Sequence, residues 1–303
     1  MNTQSNAMNE FDSQRVAPAA VSGTRPLYWS IRRELWENRS IYVAPLAVAA
    51  VALFGLFLGS IAGIWEKQLR LNPAQPHAPY EMAAGLMMLT GIVVSVFYCI
   101  DALHSERRDR SILFWKSLPV SDLTTVLAKA SIPLIILPLL TFAITVAMQS
   151  LMLLLSSAVA LASGSRVATL LTNISFLRMS WLLLYHILTA HALWPAPMYC
   201  WLLLVSGWPR RAAFLWAALP LVAIAGVEQI VFHTWHFAAL VGGRLIGAAP
   251  MVTSTSPDMF PTDPMTHLSM GSFLSSPGLW MGLAVAALFL AAAVRLRRYQ
   301  GPI

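Results

Sequence analysis

Histidines are the side chains of this sequence best suited to hold a metal ion or to transfer protons. Four of them form two close pairs, His186 with His191 and His233 with His236. Neither pair belongs to an H-E-x-x-H motif, and neither has a third ligand nearby, so the spacing does not indicate a metal site. Serine, histidine and aspartate also do not gather on one loop in a catalytic arrangement. We therefore predict that the chain is not an enzyme and has no metal or cofactor of its own.

The two cysteines, Cys99 and Cys200, both lie inside apolar runs. Neither has a C-x-x-C partner or a histidine at ligand spacing. A free cysteine in such a run packs as a small apolar residue. We predict this packing role for both thiols rather than a disulfide or a metal site.

Glu228 is an acidic residue within an apolar run, LVAIAGVEQIVFHTW. An acid inside a membrane segment is a candidate for function. Glu228 follows Arg211 by 17 residues, which is roughly 25 Å along a helix, so we expect it near the outer interface of a membrane. Two interpretations stay open: an interfacial side chain that could line the outer mouth of a transport pathway, and a proton relay.

The densest charge of the chain lies in HSERRDRSILFWKSLPVSD, residues 104–122, although only 11% of the residues are charged. Five charged residues in a row, 106–110, precede an apolar cluster at 112–115 and a Leu-Pro pair. This combination is compatible with a nucleic-acid patch, a catalytic site or a docking element for another protein.

The composition of the chain indicates whether it is a soluble protein or a membrane protein. The chain has 303 residues, of which 57% are hydrophobic, and its mean hydropathy is +0.65. Soluble domains are about half apolar and about a quarter charged, so this chain has too little polar surface for a soluble globule. The net charge of +7 would suit nucleic acid, but in a membrane protein the location of each charge matters more than the sum.

Hydropathy predicts an all-α polytopic membrane protein, because about 20 apolar residues in a row span a bilayer. Residues 1–25 are predicted to be a disordered tail, and 26–40 an amphipathic elbow helix in the membrane interface. A broken or re-entrant segment is expected within 233–276, where FAALVGGRLIGA is too short to span. The six predicted spans are 41–64, 82–104, 134–160, 180–206, 212–232 and 277–294. Prolines predict a kinked start to the third span, and Pro195 and Pro197 predict a break in the fourth.

The distribution of arginine and lysine predicts the orientation of these spans. With six spans, 14 of these residues fall on the side that carries both termini, and four fall on the other side. The four are Lys67, Arg70, Arg166 and Arg244. Since positive residues accumulate on the cytoplasmic side, both termini and residues 104–122 are expected in the cytoplasm. This clustering at the membrane also argues against nucleic-acid binding.

Residues 105–122 are expected to form a short cytoplasmic helix whose arginines contact lipid headgroups or an acidic partner. Four consecutive apolar residues, 112–115, cannot all share one helical face, so some must point away from the membrane. Leu118 precedes Pro119 and should end the helix, and Ser121 is a good N-cap for the next one. On physical grounds two interpretations stay open. The segment either binds a partner protein through its apolar residues, or it is a solvated loop whose positive charges only determine the orientation of the spans.

ERRDRSILFWKSLPVSDLTTVLAK resembles the cytoplasmic loop of ABC-2-type transporter permease subunits. In that family a glutamate opens a short coupling helix, a Leu-Pro-Val-Ser turn ends it, and a lysine follows in the next helix. Glu106, the turn at 118–121 and Lys129 occupy these positions here. The elbow helix, the six spans and the broken segment before the last span match as well. Many members carry Gly-Thr at the positions of Arg110 and Ser111. The departure from Gly-Thr in this chain points to one subgroup of the family.

The resemblance implies the permease subunit of an ATP-driven exporter in a bacterial inner membrane. The sequence has no G-x-x-x-x-G-K-[ST] loop, so ATP would bind to a separate ATP-binding-cassette subunit. A second permease, identical or related, would complete the pathway, and membrane lipid would surround it. The alternative is a secondary transporter or channel, which predicts an inverted repeat or several buried ionisable residues. The residues implied to couple the chain to the ATPase are Glu106, Arg107, Arg110, Phe114, Trp115, Lys116, Leu118 and Pro119.

Overall fold

The protein is helical throughout the residues that its computed structural model describes, which are 24–64, 78–117, 120–162, 176–209, 211–246 and 273–299. No strand occurs within these ranges. The predicted tail at 1–25 lies almost entirely outside them. Twelve α-helices and two π-helical segments are described: α1 Thr24–Glu37, α2 Ser40–Ile61, α3 Ala78–Asp101, α4 His104–Arg108, α5 Ser111–Ser117, α6 Asp122–Ser131, π1 Ile132–Ile136, α7 Leu137–Ala162, α8 Phe176–His186, π2 Ile187–Leu193, α9 Ala196–Ser206, α10 Ala213–Phe232, α11 His236–Ile246 and α12 Pro277–Tyr299.

Five helical stretches are long and apolar enough to cross a membrane, and a bent pair makes six if it counts as one span. The chain is therefore a multi-pass membrane protein. The five are Ser40–Ile61, Ala78–Arg108, Asp122–Val159, Ala213–Phe232 and Pro277–Tyr299. The bent pair is Phe176–Leu193 with Ala196–Ser206. These stretches overlap all six segments that hydropathy predicts.

The third stretch includes the predicted kinked start of the span as helix. It is 38 residues long and passes without interruption from α6 through the wider turn of π1 into α7. Pro133 lies within the first two positions of π1. A proline lacks an N–H donor and crowds the preceding turn, and a π turn accommodates both effects without ending the helix.

The fourth stretch breaks where the prolines predict. α8 continues into π2, and the chain then bends by 42° before α9. Pro195 is the N-cap of α9 and Pro197 lies in its first turn, where a missing N–H costs no hydrogen bond. The prediction of a break at these prolines is confirmed.

α9 forms the centre of the bundle, packed against α3, α10 and α12. The main core contains Ile41, Tyr98, Tyr199 and Leu203. Both cysteines are free and buried, as predicted for packing residues.

α10 is exposed along most of its length, unlike the central helix α9. Most of its large side chains are exposed and apolar, including Val222 and Ile230. Such a surface suits contact with lipid tails.

α11, in the segment predicted to be broken or re-entrant, has only 11 residues and is too short to span a bilayer. Its Arg244 is 9% exposed and donates hydrogen bonds to the carbonyls of Trp194 (3.1 Å) and Gly278 (2.5 Å). The guanidinium also lies 3.9 Å from the centre of the Trp194 ring. One arginine thus joins α11 to the bend of the fourth stretch and to the start of α12.

Candidate functional site: a buried ion cluster behind an exposed helix

The charged stretch that begins at residue 104 folds into two short helices, α4 and α5. α4 ends at Arg108 with Asp109 as its C-cap, and Arg110 follows in the left-handed region with φ of 57°. A left-handed residue after the last helical turn is a common way to end a helix. The helix after α5 is α6, and its N-cap is Ser121, whose side chain accepts a hydrogen bond from the backbone N–H of Thr124 at 3.1 Å. The predicted N-cap is confirmed.

The apolar residues of α5 point in different directions, as their spacing predicts. Ile112 is 2% exposed, whereas Leu113 is 59% and Phe114 60% exposed. Trp115 is half-buried and makes an edge contact with the Phe114 ring at 5.0 Å between centroids. The guanidinium of Arg33, in α1, lies 3.8 Å from the centre of the Trp115 ring. Trp115 therefore links α5 to α1 through its contact with Arg33. The side chains of Leu113 and Phe114 are exposed on the outer side of α5.

Glu106, in α4, is 5% exposed and contacts bases from three other helices. One carboxylate oxygen lies 2.9 Å from Nη2 of Arg33 and 3.2 Å from Nζ of Lys129. The other accepts a hydrogen bond from Nη1 of Arg297, in α12. Because each cation comes from a different helix, this one side chain joins α4 to α1, α6 and α12.

Glu34, in α1, is a second buried acid, only 1% exposed. Its Oε1 lies 2.8 Å from Nζ of Lys129 and 2.7 Å from Nη2 of Arg33. Its Oε2 accepts a hydrogen bond from the hydroxyl of Tyr98, in α3, at 2.9 Å. The two acids thus share Arg33 and Lys129 between them.

Asp122 completes the set, with its Oδ1 at 3.1 Å from Nε of Arg297. We define the ion cluster as Arg33, Glu34, Glu106, Asp122, Lys129 and Arg297. It contains three acids and three bases, so its formal charges cancel. Burial of charge is costly unless partners compensate it, and each member here has an opposite charge within 3.2 Å.

Arg33 is the member of the ion cluster that links it to Trp115. Burial lowers the pKa of its guanidinium, but Glu34, and then Glu106 and Glu37, raise that pKa above its ordinary value. The side chain is therefore a permanent cation. It can hold two carboxylates and an aromatic face at once, as a planar guanidinium does well.

Arg107 is 7% exposed and contacts the end of α9. Its Nη1 donates hydrogen bonds to the backbone carbonyls of Gly207 and Trp208. These carbonyls follow the C-terminus of α9, where a cation is favourable because the helix dipole is negative. Arg107 thus fixes α4 to the end of the central helix.

The residues predicted to couple to an ATPase fall into three groups. Glu106 and Arg107 are buried in contacts within the chain, and Trp115 is held by Arg33. Arg110, Phe114 and Lys116 have exposed side chains. Leu118 and Pro119 lie outside the described residues.

Of the ion cluster, only Glu106 was among the predicted coupling residues, and Lys129 was noted only as part of the family motif. The two acids and two bases that sequence reasoning did not assign to the site are Arg33, Glu34, Asp122 and Arg297. Glu34 follows Leu27 by seven residues and Ile31 by three, so it falls on the face of the elbow helix that the apolar residues predict to be buried. An acidic residue on a face predicted to be buried indicates a buried ion pair, and this was the signal in the sequence that could have identified Glu34. Arg297 gives no such signal, because it stands between other arginines at the end of a span.

Glu228 lies in the penultimate turn of α10 and caps the start of α11. Its carboxylate accepts hydrogen bonds from the hydroxyl of Thr234 and from the backbone N–H groups of His236 and Phe237, each at 2.8 Å. An acid at the N-terminus of a helix satisfies free N–H groups and faces the positive end of the dipole. This geometry gives Glu228 a structural role; its predicted place on a pathway stays a prediction.

Within the described part of the chain, no three histidine, cysteine, aspartate or glutamate side chains are grouped so that they could hold a metal ion. The ion cluster has no spare ligand either, because each carboxylate already contacts a base. What the geometry shows is that the ion cluster connects α1, α4, α6 and α12. Comparison with known proteins gives no match among family models, curated proteins or solved structures.

Proposed function

We propose that this chain is the permease subunit of an ABC-2-type exporter and that α5 is its coupling helix. The observation that carries the proposal is the pairing of an exposed apolar pair, Leu113 and Phe114, with a buried ion cluster directly behind it. The sequence resemblance of residues 106–129 supplies the family. The cytoplasm, the bacterial inner membrane and the position of both termini follow from the same proposal and from the distribution of arginines.

The position of α5 favours a protein partner over lipid. Leu113 and Phe114 stand a few residues after Arg108 and Asp109, which are about 60% exposed. Fully charged, exposed side chains do not enter the hydrocarbon of a bilayer. Apolar side chains beside them are therefore outside the hydrocarbon, where a protein groove can cover them and stabilise the contact.

The ion cluster offers a route for motion from α5 into the spans. A partner that displaces α5 moves Trp115 and with it Arg33, which contacts both buried acids. Those acids bind Lys129 at the start of the third stretch and Arg297 at the end of the last one. ATP binding in the partner would bias the equilibrium between two arrangements of these helix ends.

The backbone at Arg110 also supports the family. Members of the family commonly have glycine at this position, and Arg110 here adopts the left-handed conformation that glycine favours. Arg110 thus gives this chain the backbone conformation that glycine would favour at the same position. The pathway itself would require a second permease, identical or related, and the ATPase would supply the nucleotide site.

The test is co-purification with the ATP-binding-cassette subunits of the same genome. The tagged chain should capture one of them, and replacement of both Leu113 and Phe114 with alanine should weaken the complex. Loss of a central apolar anchor costs about 2 kcal/mol or more, roughly thirtyfold in affinity. Phe232→Ala is the matched control, because Phe232 is 69% exposed and ends α10. The proposal is wrong if no such subunit binds, or if both variants bind it equally.

A secondary transporter is the second candidate, because the structure contains the several buried ionisable residues that such a protein would need. Here, however, each buried acid of the ion cluster is paired with bases, so none is placed to take up a proton alone. Proteoliposomes with this chain alone decide between the two. Ion or proton flux without ATP or an ATPase would favour the transporter.

A further inference from the structure

The two π-helical segments border one cavity inside the bundle. Leu137 and Pro138 follow π1 directly, and Ile187 and His191 belong to π2; all four line the cavity. α3 closes a third side with Gly91, where an added Cβ would lie 3.3 Å from the Thr141 hydroxyl oxygen. π turns inside α-helices are rare and mark functional positions, so two that meet at one cavity need an explanation.

The cavity contains polar groups that have no protein partner. Thr141 is 3% exposed, and its hydroxyl makes no hydrogen bond to any described residue. The same holds for both ring nitrogens of His191, which are shielded from solvent. Two other polar side chains, Ser95 and Tyr199, also line the cavity. Buried polar groups in proteins are almost always paired, through protein or through an ordered water molecule.

Thr145, one turn further along α7, is a buried threonine whose hydroxyl does have a hydrogen-bond partner. It is fully buried, and its hydroxyl donates a hydrogen bond to the carbonyl of Thr141 at 2.7 Å. The hydroxyl of Thr141 is not used in this way and faces the cavity instead. The unpaired hydroxyl is therefore a property of this site and not of the helix.

We propose that this cavity binds one water molecule, which bridges the hydroxyl of Thr141 to the imidazole of His191. The cavity has room for about one water molecule. A neutral imidazole offers one donor and one acceptor, and a hydroxyl offers the same, so a single water can satisfy both side chains. The water would connect α7, just after π1, to π2 and so link the two helix breaks. This inference is independent of the ATPase partner.

The remaining lining explains why the site accepts a small neutral ligand and no larger one. The apolar walls are Met88, Ile92, Leu137 and Ile187. Among the described residues that line the cavity, His191 is the only basic side chain and no carboxylate is present. A buried ion would lack an opposite charge there. Water fits because it needs only a few polar partners and little volume.

The test uses solid-state NMR of the full chain in lipid bilayers, with nitrogen-15 in its seven histidines. Magnetisation transferred from water should reach the ring of His191, whose signal is assigned by its loss in His191→Leu. Thr141→Val should remove most of this transfer, while Thr141→Ser, which keeps the hydroxyl, and the matched control Thr145→Val should preserve it. Absence of transfer to His191 in the unaltered chain, or full transfer in Thr141→Val, would overturn the proposal.

A double-mutant cycle gives a second, independent readout. Each single change, Thr141→Val or His191→Leu, leaves a buried polar partner unsatisfied and should lower the equilibrium constant for folding about tenfold. The double variant should lose far less than the product of the two effects, because no unpaired group remains. Independent effects that multiply would refute a shared water.

Discussion

Replacement of Glu106 with glutamine tests the ion cluster directly. Glutamine keeps the shape of the side chain and removes its charge, so the cluster changes from three acids and three bases to two acids against three bases. The side chain is 5% exposed, and Arg33, Lys129 and Arg297 all contact it. Solvent cannot replace the lost charge at such a depth, because the partners are themselves buried or half-buried.

The expected loss is large for one substitution. Removal of one partner from a buried ion pair lowers the free energy of unfolding by about 3–5 kcal/mol, since an uncompensated charge stays behind. Glu37→Gln is the matched control. Glu37 also pairs with Arg33, at 3.5 Å, but its side chain is 50% exposed. An exposed pair of this kind contributes about 0–1 kcal/mol.

The assay is equilibrium unfolding of both variants in the same lipid or detergent, expressed as a free energy. A loss of several kcal/mol for Glu106→Gln with almost none for Glu37→Gln would agree with the structure. Equal small losses would refute the reasoning, because they would mean that Glu106 is solvated. Addition of Lys129→Gln to Glu106→Gln restores two acids against two bases, so the double variant should lose less than the sum of the single losses.

Three further substitutions test the backbone and the contacts of the termini of helices. Arg110→Gly should raise the free energy of unfolding by about 1 kcal/mol, because glycine adopts the left-handed conformation freely; Arg110→Ala should give no such gain. Gly282→Ala should lower it by about 1–3 kcal/mol, since the new Cβ would lie 2.9 Å from Cζ of Arg244. Gly226→Ala, with open space around it, is the control and should be neutral or stabilising. Ser121→Ala should cost about 0.5–2 kcal/mol through loss of the N-cap of α6. Thermal unfolding of each purified variant measures all five changes.

The sequence predicted the features that depend on neighbouring residues. Apolar runs of about 20 residues located the helical stretches, and Pro195 with Pro197 located the bend of the fourth. The cap at Ser121 and the divided faces of α5 followed from local rules in the same way. The π segments could not be predicted, because hydropathy does not reveal which carbonyl each N–H contacts.

The ion cluster depends on residues that are far apart in the chain. Arg33 and Lys129 lie 73 and 95 residues from the acids they contact, Glu106 and Glu34, and Arg297 lies 191 residues from Glu106. A single sequence gives the charge of each residue but not its partner. Arg107 shows the consequence, because its charge suggested contact with lipid headgroups or an acidic partner and the structure places it on the carbonyls after α9.

Under the proposed function, the ion cluster matters for the coupling mechanism as well as for stability. Well-packed apolar residues commonly stabilise a protein as much as a buried ion network does, so stability alone does not explain six charges at this place. Apolar contacts allow helices to slide, whereas separating an ion pair at 2.8 Å costs much more energy in a medium of low dielectric constant than in water. Helix ends joined by such pairs must move together or change partners. Because Arg33 connects this network to Trp115 in α5, the proposed coupling predicts that a displacement of α5 moves α1, α6 and α12 together.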